Sequence, residues 1–538
     1  MFGNGNQNYL QLPTSSPDDE DVDPALEVNG SDQPSSPHDH MVLRKTIVPR
    51  RFYQLPYKLV CPLSKLGICL LPAFVRRRAG LVAENPNALT ALDGVRGFAC
   101  LFVFNFHSIY TYTNSLHNGY GLHNDDISVE NTMYIHQLPF VSLLYRGRAM
   151  VCVFFALSGY VLSRKPLQQI RAQQYEKFQH TITSSVFRRG LRLYLPTLAS
   201  TFLVLVAVRL GAFDRATEVR DSGEYIRGTN EEHPPILPNL MEQLQDWGNN
   251  CVWKLLNPFK WDEFYNNYDS HLWTIPLEFR SSLVLFLTHV ALAKVRTGWR
   301  LGLTCVLIVF LIARVRWEVM LFVVGGMLAE LDLIMRTWED MPSGSNAEPI
   351  LPSASGRLDV NEISEKPPTP EQKPRVRYHN IFFFVVALYF LSYPDFNSKD
   401  TPGFSFLWSV SPPAFARARR TQWWWWSIGA SLLLWTISNT PVLQVPFKSR
   451  VAQYLGQVSY AFYVVHGPIL HSLGYTLMPI IWGLTGRETN AGFVGGLLIN
   501  WAICLFVSLW VADIFWRTVD KSSVRFARFV EERMAHRN

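Results

Sequence analysis

The stretch Ala91-Leu92-Asp93-Gly94-Val95-Arg96-Gly97-Phe98-Ala99-Cys100-Leu101-Phe102-Val103-Phe104-Asn105-Phe106-His107 decides how the chain is read. It is apolar apart from a few polar residues, and continued to residue 113 it has the ~20-residue length a bilayer-spanning helix needs. Arg96 and His107 are eleven residues apart, which on a helix is ~1100°, within ~20° of three full turns. Both side chains therefore fall on one stripe, ~16 Å apart along the axis. Asp93 lies one turn before Arg96 and can pair with it. An ionisable group at the centre of a spanning helix costs ~2.5–3.5 kcal/mol, so each one needs a reason. A packing histidine would explain His107 alone. The pair, with Asn105 close by, asks for more.

Composition agrees with a membrane reading. The chain has 538 residues, of which 48% are hydrophobic, 14% aromatic and only 17% charged. That charged share lies well under the ~25% usual in soluble domains, which excludes a soluble enzyme as well as fibrous and wholly disordered proteins. Spanning helices are expected at 92–113, 143–163, 190–210, 271–294, 301–315, 317–335, 379–394, 423–439, 451–474 and 493–515, the fifth and seventh being the shortest. The fold expected is an all-α polytopic membrane protein of about ten helices in one bundle. Around it lie an acidic, disordered segment 1–45, a basic, interfacial segment 46–87 and a basic C-terminus 516–538. The membrane domain itself runs over 88–515. It is interrupted by a polar loop 211–270 and a Pro-, Ser- and Glu-rich loop 337–378 that reads as disordered.

Net charge is +7, but the basic residues cluster at the ends of apolar segments, as in Arg76-Arg77-Arg78 and Arg188-Arg189. This pattern sets orientation at a membrane and gives no reason to expect nucleic acid. The loops after the second, fourth, sixth and eighth segments are the basic ones, which places them and both termini in the cytosol. Loop 395–421, with Arg417, Arg419 and Arg420, runs against the trend. The seven cysteines show neither metal spacing nor a disulfide framework, and no cleavable signal peptide precedes the first span. Trp423–Trp426 at a segment end suits an interfacial aromatic belt, and Arg146 and Arg148 suit snorkelling at the far surface.

Arg96-x10-His107 within Leu-Asp-Gly-Val-Arg-Gly resembles the signature of the acyltransferase-3 family of integral-membrane acyltransferases, particularly its fungal members. Further segments follow in the same order. Phe154-Phe155-Ala-Leu-Ser158-Gly159-Tyr160 is similar to the family's second-helix motif, and Arg189-Gly-Leu-Arg192 to its Arg-x-x-Arg motif. Leu272-Trp273-Thr-Ile-Pro-Leu-Glu278 is similar to its Leu-Trp-Ser-Leu-x-x-Glu segment, and Ser459-Tyr460-Ala-Phe-Tyr463-Val-Val-His466-Gly-Pro468 to a late element. The resemblance implies transfer of an acyl group, usually acetyl from cytosolic acetyl-CoA, to a hydroxyl of a carbohydrate, lipid or secondary metabolite. It carries Arg96 and His107 over as the essential pair and implies roles for Arg189, Arg192 and Glu278. The double acid usual after the Leu-Trp segment is Glu278-Phe279 here, and loops 211–270 and 337–378 stand outside the core pattern.

Chemistry gives these residues work. A base must take the alcohol proton, and a neutral imidazole titrates in the right range, so His107 is the candidate. Guanidinium groups bind phosphate through paired hydrogen bonds, so Arg189 and Arg192 suit the phosphates of acyl-CoA, the co-substrate; positive-inside anchoring would explain them equally. His271 and Glu278, seven residues apart, are expected on one helical face ~10 Å apart. They would serve the acceptor or a proton path, with Asp93 and Trp273 in support. His466, before Gly467-Pro468, is expected to bond a carbonyl freed by the proline. No metal or permanently bound cofactor is expected; the partners expected are the bilayer, acyl-CoA and a hydroxyl acceptor. The rival class is a proton-coupled transporter built on the same buried charges, against which the lack of visible inverted repeats speaks.

Overall fold

The computed structural model describes residues 91–122, 132–339 and 378–534. Segments 1–45 and 46–87, loop residues 340–377 and the last four residues lie outside the described residues. Among the described residues the chain is helical, with one isolated bridge between Asn266 and Asp269 and no strand.

Each of the ten expected segments coincides with a helix. They are α1 (Ala91–Tyr110), α2 (Gly147–Arg171), α3 (Tyr175–Arg209), α4 (Thr274–Leu292), α5 (Thr297–Ala313), α6 (Trp317–Glu339), α7 (Tyr378–Leu391), α8 (Thr421–Ser438), α9 (Arg450–Ile469) with its continuation α10 (Tyr475–Thr485), and α11 (Asn490–Phe515). A last amphipathic helix, α12 (Lys521–Met534), follows. Among the described residues five helical stretches are long and apolar enough to cross a membrane: Gly147–Arg171, Tyr175–Arg209, Ser270–Leu292, Arg450–Thr485 and Asn490–Met534. α5 and α7 are apolar but shorter.

Small residues set the closest seams. α1 packs on α9 and α2, and α2 also packs on α6 and α8. A Cβ on Gly97 would stand 2.4 Å from the Gly456 nitrogen, and one on Gly456 would stand 2.2 Å from the Asp93 carbonyl. Gly159 and Gly325 do the same for α2 and α6, where an added Cβ would fall 2.2 Å from Phe322 O and Ala156 O respectively. Lipid tails give helices no hydrophobic reason to associate, so such backbone-to-backbone contact is how packing holds them. The α1–α9 seam fixes the rotation of α1 and hence the direction of its polar stripe.

α9 bends out of regular geometry near Pro468. The proline has no N–H for the Val464 carbonyl, and that carbonyl instead accepts from Ser200 Oγ of α3 at 3.0 Å. His466 was expected to do this; its Nδ1 lies 2.7 Å from Tyr463 O instead. A π-turn over Leu470–Gly474 then leads into α10. Such turns rotate the following side chains out of α-helical phase, and this one carries His471.

Two surface expectations are corrected. Trp423, Trp425 and Trp426 are buried, and Trp423 stacks on Trp317 with ring centroids 3.9 Å apart. Trp426 Nε1 donates to Tyr393 O and Trp425 Nε1 to Leu407 O. Indoles whose N–H groups find interior partners need no headgroup contact. Arg146 does not snorkel: it is 1% exposed, donating to Asp395 Oδ2 at 2.8 Å and to Leu116 O at 2.7 Å. Burial opposes ionisation of Asp395, but His117, Arg146 and Arg148 outweigh it and hold the carboxyl down at about 2.

Candidate active site

The polar stripe of α1 has two ends with different chemistry. At the first, Arg96 bonds Asp93 at 3.3 Å, as the one-turn spacing predicted. Arg192 and Glu278 are its electrostatic neighbours. Glu278 accepts from Arg189 Nη2 at 2.9 Å and lies 3.4 Å from Ser158 Oγ. Arg189 is thus committed to an ion pair inside the protein, whereas Arg192 is exposed. His271 sits in a 3₁₀ turn, Ser270–Trp273, ahead of α4, and its side chain bonds Asp269, while Glu278 of α4 pairs with Arg189.

His107 lies at the second end, in a cluster of buried imidazoles. Its ring centroid is 3.9 Å from that of His271 and 5.5 Å from that of His466, and the latter two are 4.8 Å apart. Two acids that the sequence did not single out complete the cluster, and both come from the polar loop before α4. Asp269 Oδ1 lies 2.8 Å from His271 Nδ1 and also accepts the His271 backbone N–H at 3.0 Å. Glu231 Oε2 lies 2.8 Å from His471 Nε2 and 3.1 Å from His271 Nε2. Its other oxygen is 3.8 Å from His107 Nδ1 and accepts from Ser270 Oγ at 3.0 Å. Burial alone would push the Glu231 carboxyl up. The charge of His271 and the contacts of His271 and His471 outweigh that and hold it well below its ordinary range, as a carboxylate. His233, stacked on His471, is pushed down to about 3 by burial, with His471 and Arg220 adding to the effect, and stays neutral.

Close approach makes this cluster possible. A Cβ on Gly467 would stand 2.1 Å from His271 Nδ1 and 2.6 Å from Asp269 Oδ1, so only glycine lets α9 pass the Asp–His pair. Tyr463 of α9 donates its hydroxyl to the His271 carbonyl and lies 2.6 Å from Thr274 Oγ1. A cavity of about 440 Å³ ends on the cluster. His107, Glu231, His271 and Tyr463 line its floor, Trp273 and Trp423 its wall, and Glu232, Glu263, Arg419 and Arg420 its mouth. The mouth is therefore on the side of loops 211–270 and 395–421, at the end of α1 away from Arg96.

The polar stripe is thus cationic at one end and rich in imidazole and carboxylate at the other, and buried ionisable groups of this kind among apolar helices point to a functional site. The profile of the acyltransferase-3 family, described as an acyltransferase domain, matches residues 89–517, and the chain belongs to that family and is an acyltransferase. It is similar to the O-acetyltransferase PaAT-1 of Phomopsis amygdali, with 28% identity over 82% of this chain and 84% of that protein. It is also similar to acyltransferase R4 of a Phoma species, with 29% identity over 81% of this chain and 94% of that protein. Acyltransferase clz18 of Cochliobolus lunatus gives the same three figures, 29%, 81% and 94%. No solved structure matches the chain. Family membership favours the enzyme over the transporter reading. Loop 211–270, which stood outside the core pattern, supplies Glu231 and Asp269 to the site.

Proposed function

We propose that the chain transfers an acetyl or other short acyl group from cytosolic acyl-CoA to a hydroxyl of a small molecule, glycan or lipid presented from the opposite face. The observation that carries this reading is the single stripe of α1, with Arg96 at a cationic end and His107 on the floor of a cavity at the other. The name of PaAT-1 supports acetyl transfer to oxygen. The acyl-CoA enters at the Arg96 end, where Arg192 takes phosphate oxygens while Arg189 and Glu278 brace the wall. The acceptor enters through the cavity. His107 takes the hydroxyl proton, and the Glu231 carboxylate, 3.8 Å from its Nδ1, favours the imidazolium that forms. The alcohol oxygen bonds to the thioester carbonyl carbon, the C–S bond breaks, and CoA leaves as thiolate. The proton on His107 then goes to that sulfur, so one ester and one free thiol are formed.

In this reading the chain spans the bilayer ten times with both termini in the cytosol. Reporters placed after Asn538 or within 343–372 are expected on the cytosolic side, and one within 220–235 on the other. Reporters at 220–235 and 343–372 on the same side would overturn the two-sided arrangement.

The test of function is acetyl transfer by the full chain purified in detergent, with radiolabelled acetyl-CoA as donor and release of free CoA as the readout. Arg192→Gln should weaken donor binding by ~1.5–3 kcal/mol, about tenfold or more, without affecting insertion. Unchanged donor affinity would return Arg192 to the role of topology signal. Wild-type protein that neither hydrolyses nor transfers the thioester would overturn the donor assignment.

A further inference from the structure

The ring of His271 poses an unusual problem of partners. It is 2% exposed, and each of its nitrogens faces a carboxylate. Nδ1 is tied to Asp269, which is itself fixed by the His271 backbone N–H. Nε2 lies 3.1 Å from Glu231 Oε2. His471 Nε2 reaches the same Glu231 oxygen from the π-turn at 2.8 Å. The three atoms, Glu231 Oε2, His271 Nε2 and His471 Nε2, lie within 4.8 Å of one another, close enough to share one point between them.

We propose that this point is a binding site for a divalent transition-metal ion of the zinc class, held by Glu231, His271 and His471, and that it takes the oxygen of the acceptor hydroxyl. Bonds of ~2.0–2.1 Å in a tetrahedral site put ligand atoms ~3.3 Å apart, against 2.8 and 3.1 Å here from Glu231 Oε2 to the two imidazole nitrogens. One carboxylate and two imidazoles are a donor set that suits zinc, and three protein ligands leave a fourth position for a reacting group. Glu231 and His271 both line the cavity, so the fourth position faces the acceptor and His107. The surroundings are those that metal ligands require. Asp269 holds the outer nitrogen of His271, and Ser270 Oγ holds the outer oxygen of Glu231. His471 is fixed by ring stacking on Tyr475 and His233. The three ligands come from a loop, a 3₁₀ turn and a π-turn, so no sequence spacing records them.

The proposal rests on the acyl-transfer reading only for what the ion does. As a Lewis acid it accepts a lone pair from the alcohol oxygen and makes the proton easier for His107 to remove. It gives the oxygen up when the ester forms, and nothing is oxidised or reduced. His107 stays outside the ligand set.

Elemental analysis of the full chain, purified in detergent without chelators, tests the site directly. About one zinc-class ion per chain is expected. Glu231→Gln and His471→Gln should each lower occupancy at least tenfold, His107→Gln should leave it unchanged, and Asp269→Asn should weaken zinc binding by ~10–100-fold. Melting temperature and elution profile report folding of each variant. Titration with Co²⁺ is the second measurement, and the visible absorption of a tetrahedral site should appear in wild type and be missing in Glu231→Gln. Wild-type protein with no stoichiometric ion and no Co²⁺ spectrum would overturn the site and leave the cluster as a hydrogen-bonded relay. Transfer that resists chelators but is abolished in His107→Ala removes the metal and keeps the acyl reading. A loaded site in a chain that transfers no acyl group does the opposite.

Discussion

His107→Ala is expected to lower acyl transfer by ~10²–10⁴-fold, the usual contribution of a positioned general base, with donor affinity nearly unchanged. The protein should remain folded. His107 Nδ1 is buried but makes no hydrogen bond among the described residues, its nearest acid oxygen being 3.8 Å away. Truncation therefore breaks no strong contact, and the space it opens joins a cavity with polar walls that water can enter. Arg96→Ala should behave differently. Its guanidinium lies three turns away at the cationic end, so its loss should appear in donor affinity or positioning. Paired measurements of melting temperature and acetyl transfer on the same purified variant decide the matter. A structural His107 would lose thermal stability while the remaining folded protein kept its turnover. A well-folded His107→Ala protein with wild-type turnover would remove His107 from the chemistry.

Helical arithmetic placed Arg96, Asp93 and His107 correctly because all three lie within one regular α-helix, where ~100° per residue holds throughout. His271 and Glu278 went to different partners, because His271 stands in the 3₁₀ turn beside the loop acids and Glu278 in α4 beside Arg189. His471 lies in the π-turn, where its Nε2 reaches Glu231 Oε2 at 2.8 Å. Glu231 and Asp269 escaped for another reason. They sit in a polar loop with no periodicity, and their pairing with α4 and the π-turn is a long-range contact. The available hint was Asp269-x-His271, an acid two residues before a histidine at the mouth of an apolar run. The tryptophan run misled because composition reports that an indole has a polar edge, not whether water, headgroup or a buried carbonyl meets it. Here Tyr393 O and Leu407 O do. The apolar helices were legible because apolar length is a property of the chain alone, whereas the polar helices Asp214–Asp221, Leu240–Trp247 and Lys521–Met534 carry no such signal.

Gly467→Ala should be nearly as damaging to transfer as loss of His271 itself, though Gly467 carries no functional group. The added methyl would sit 2.1 Å from His271 Nδ1 and 2.6 Å from Asp269 Oδ1, closer than any carbon approaches such atoms. Something must move, and the helix is the stiffer partner. Around Gly467, α9 is held by Ser200 on Val464 O, by Cys100 Sγ on Ser459 O, and by the glycine seam with α1. The Asp269–His271 pair, at the end of a loop, should therefore be displaced. Overpacking of this kind costs ~1–3 kcal/mol of stability, a visible fall in melting temperature but not loss of the fold. Misplacing a catalytic group by ~1 Å costs ~10²-fold in rate, and that is the loss expected here. Because both substitutions act on one arrangement, Gly467→Ala combined with His271→Ala should lose little more activity than His271→Ala alone. Additive losses would mean that Gly467 acts through α9 packing and not through His271. Full activity in the single variant would show that the Asp269–His271 geometry does not matter to transfer.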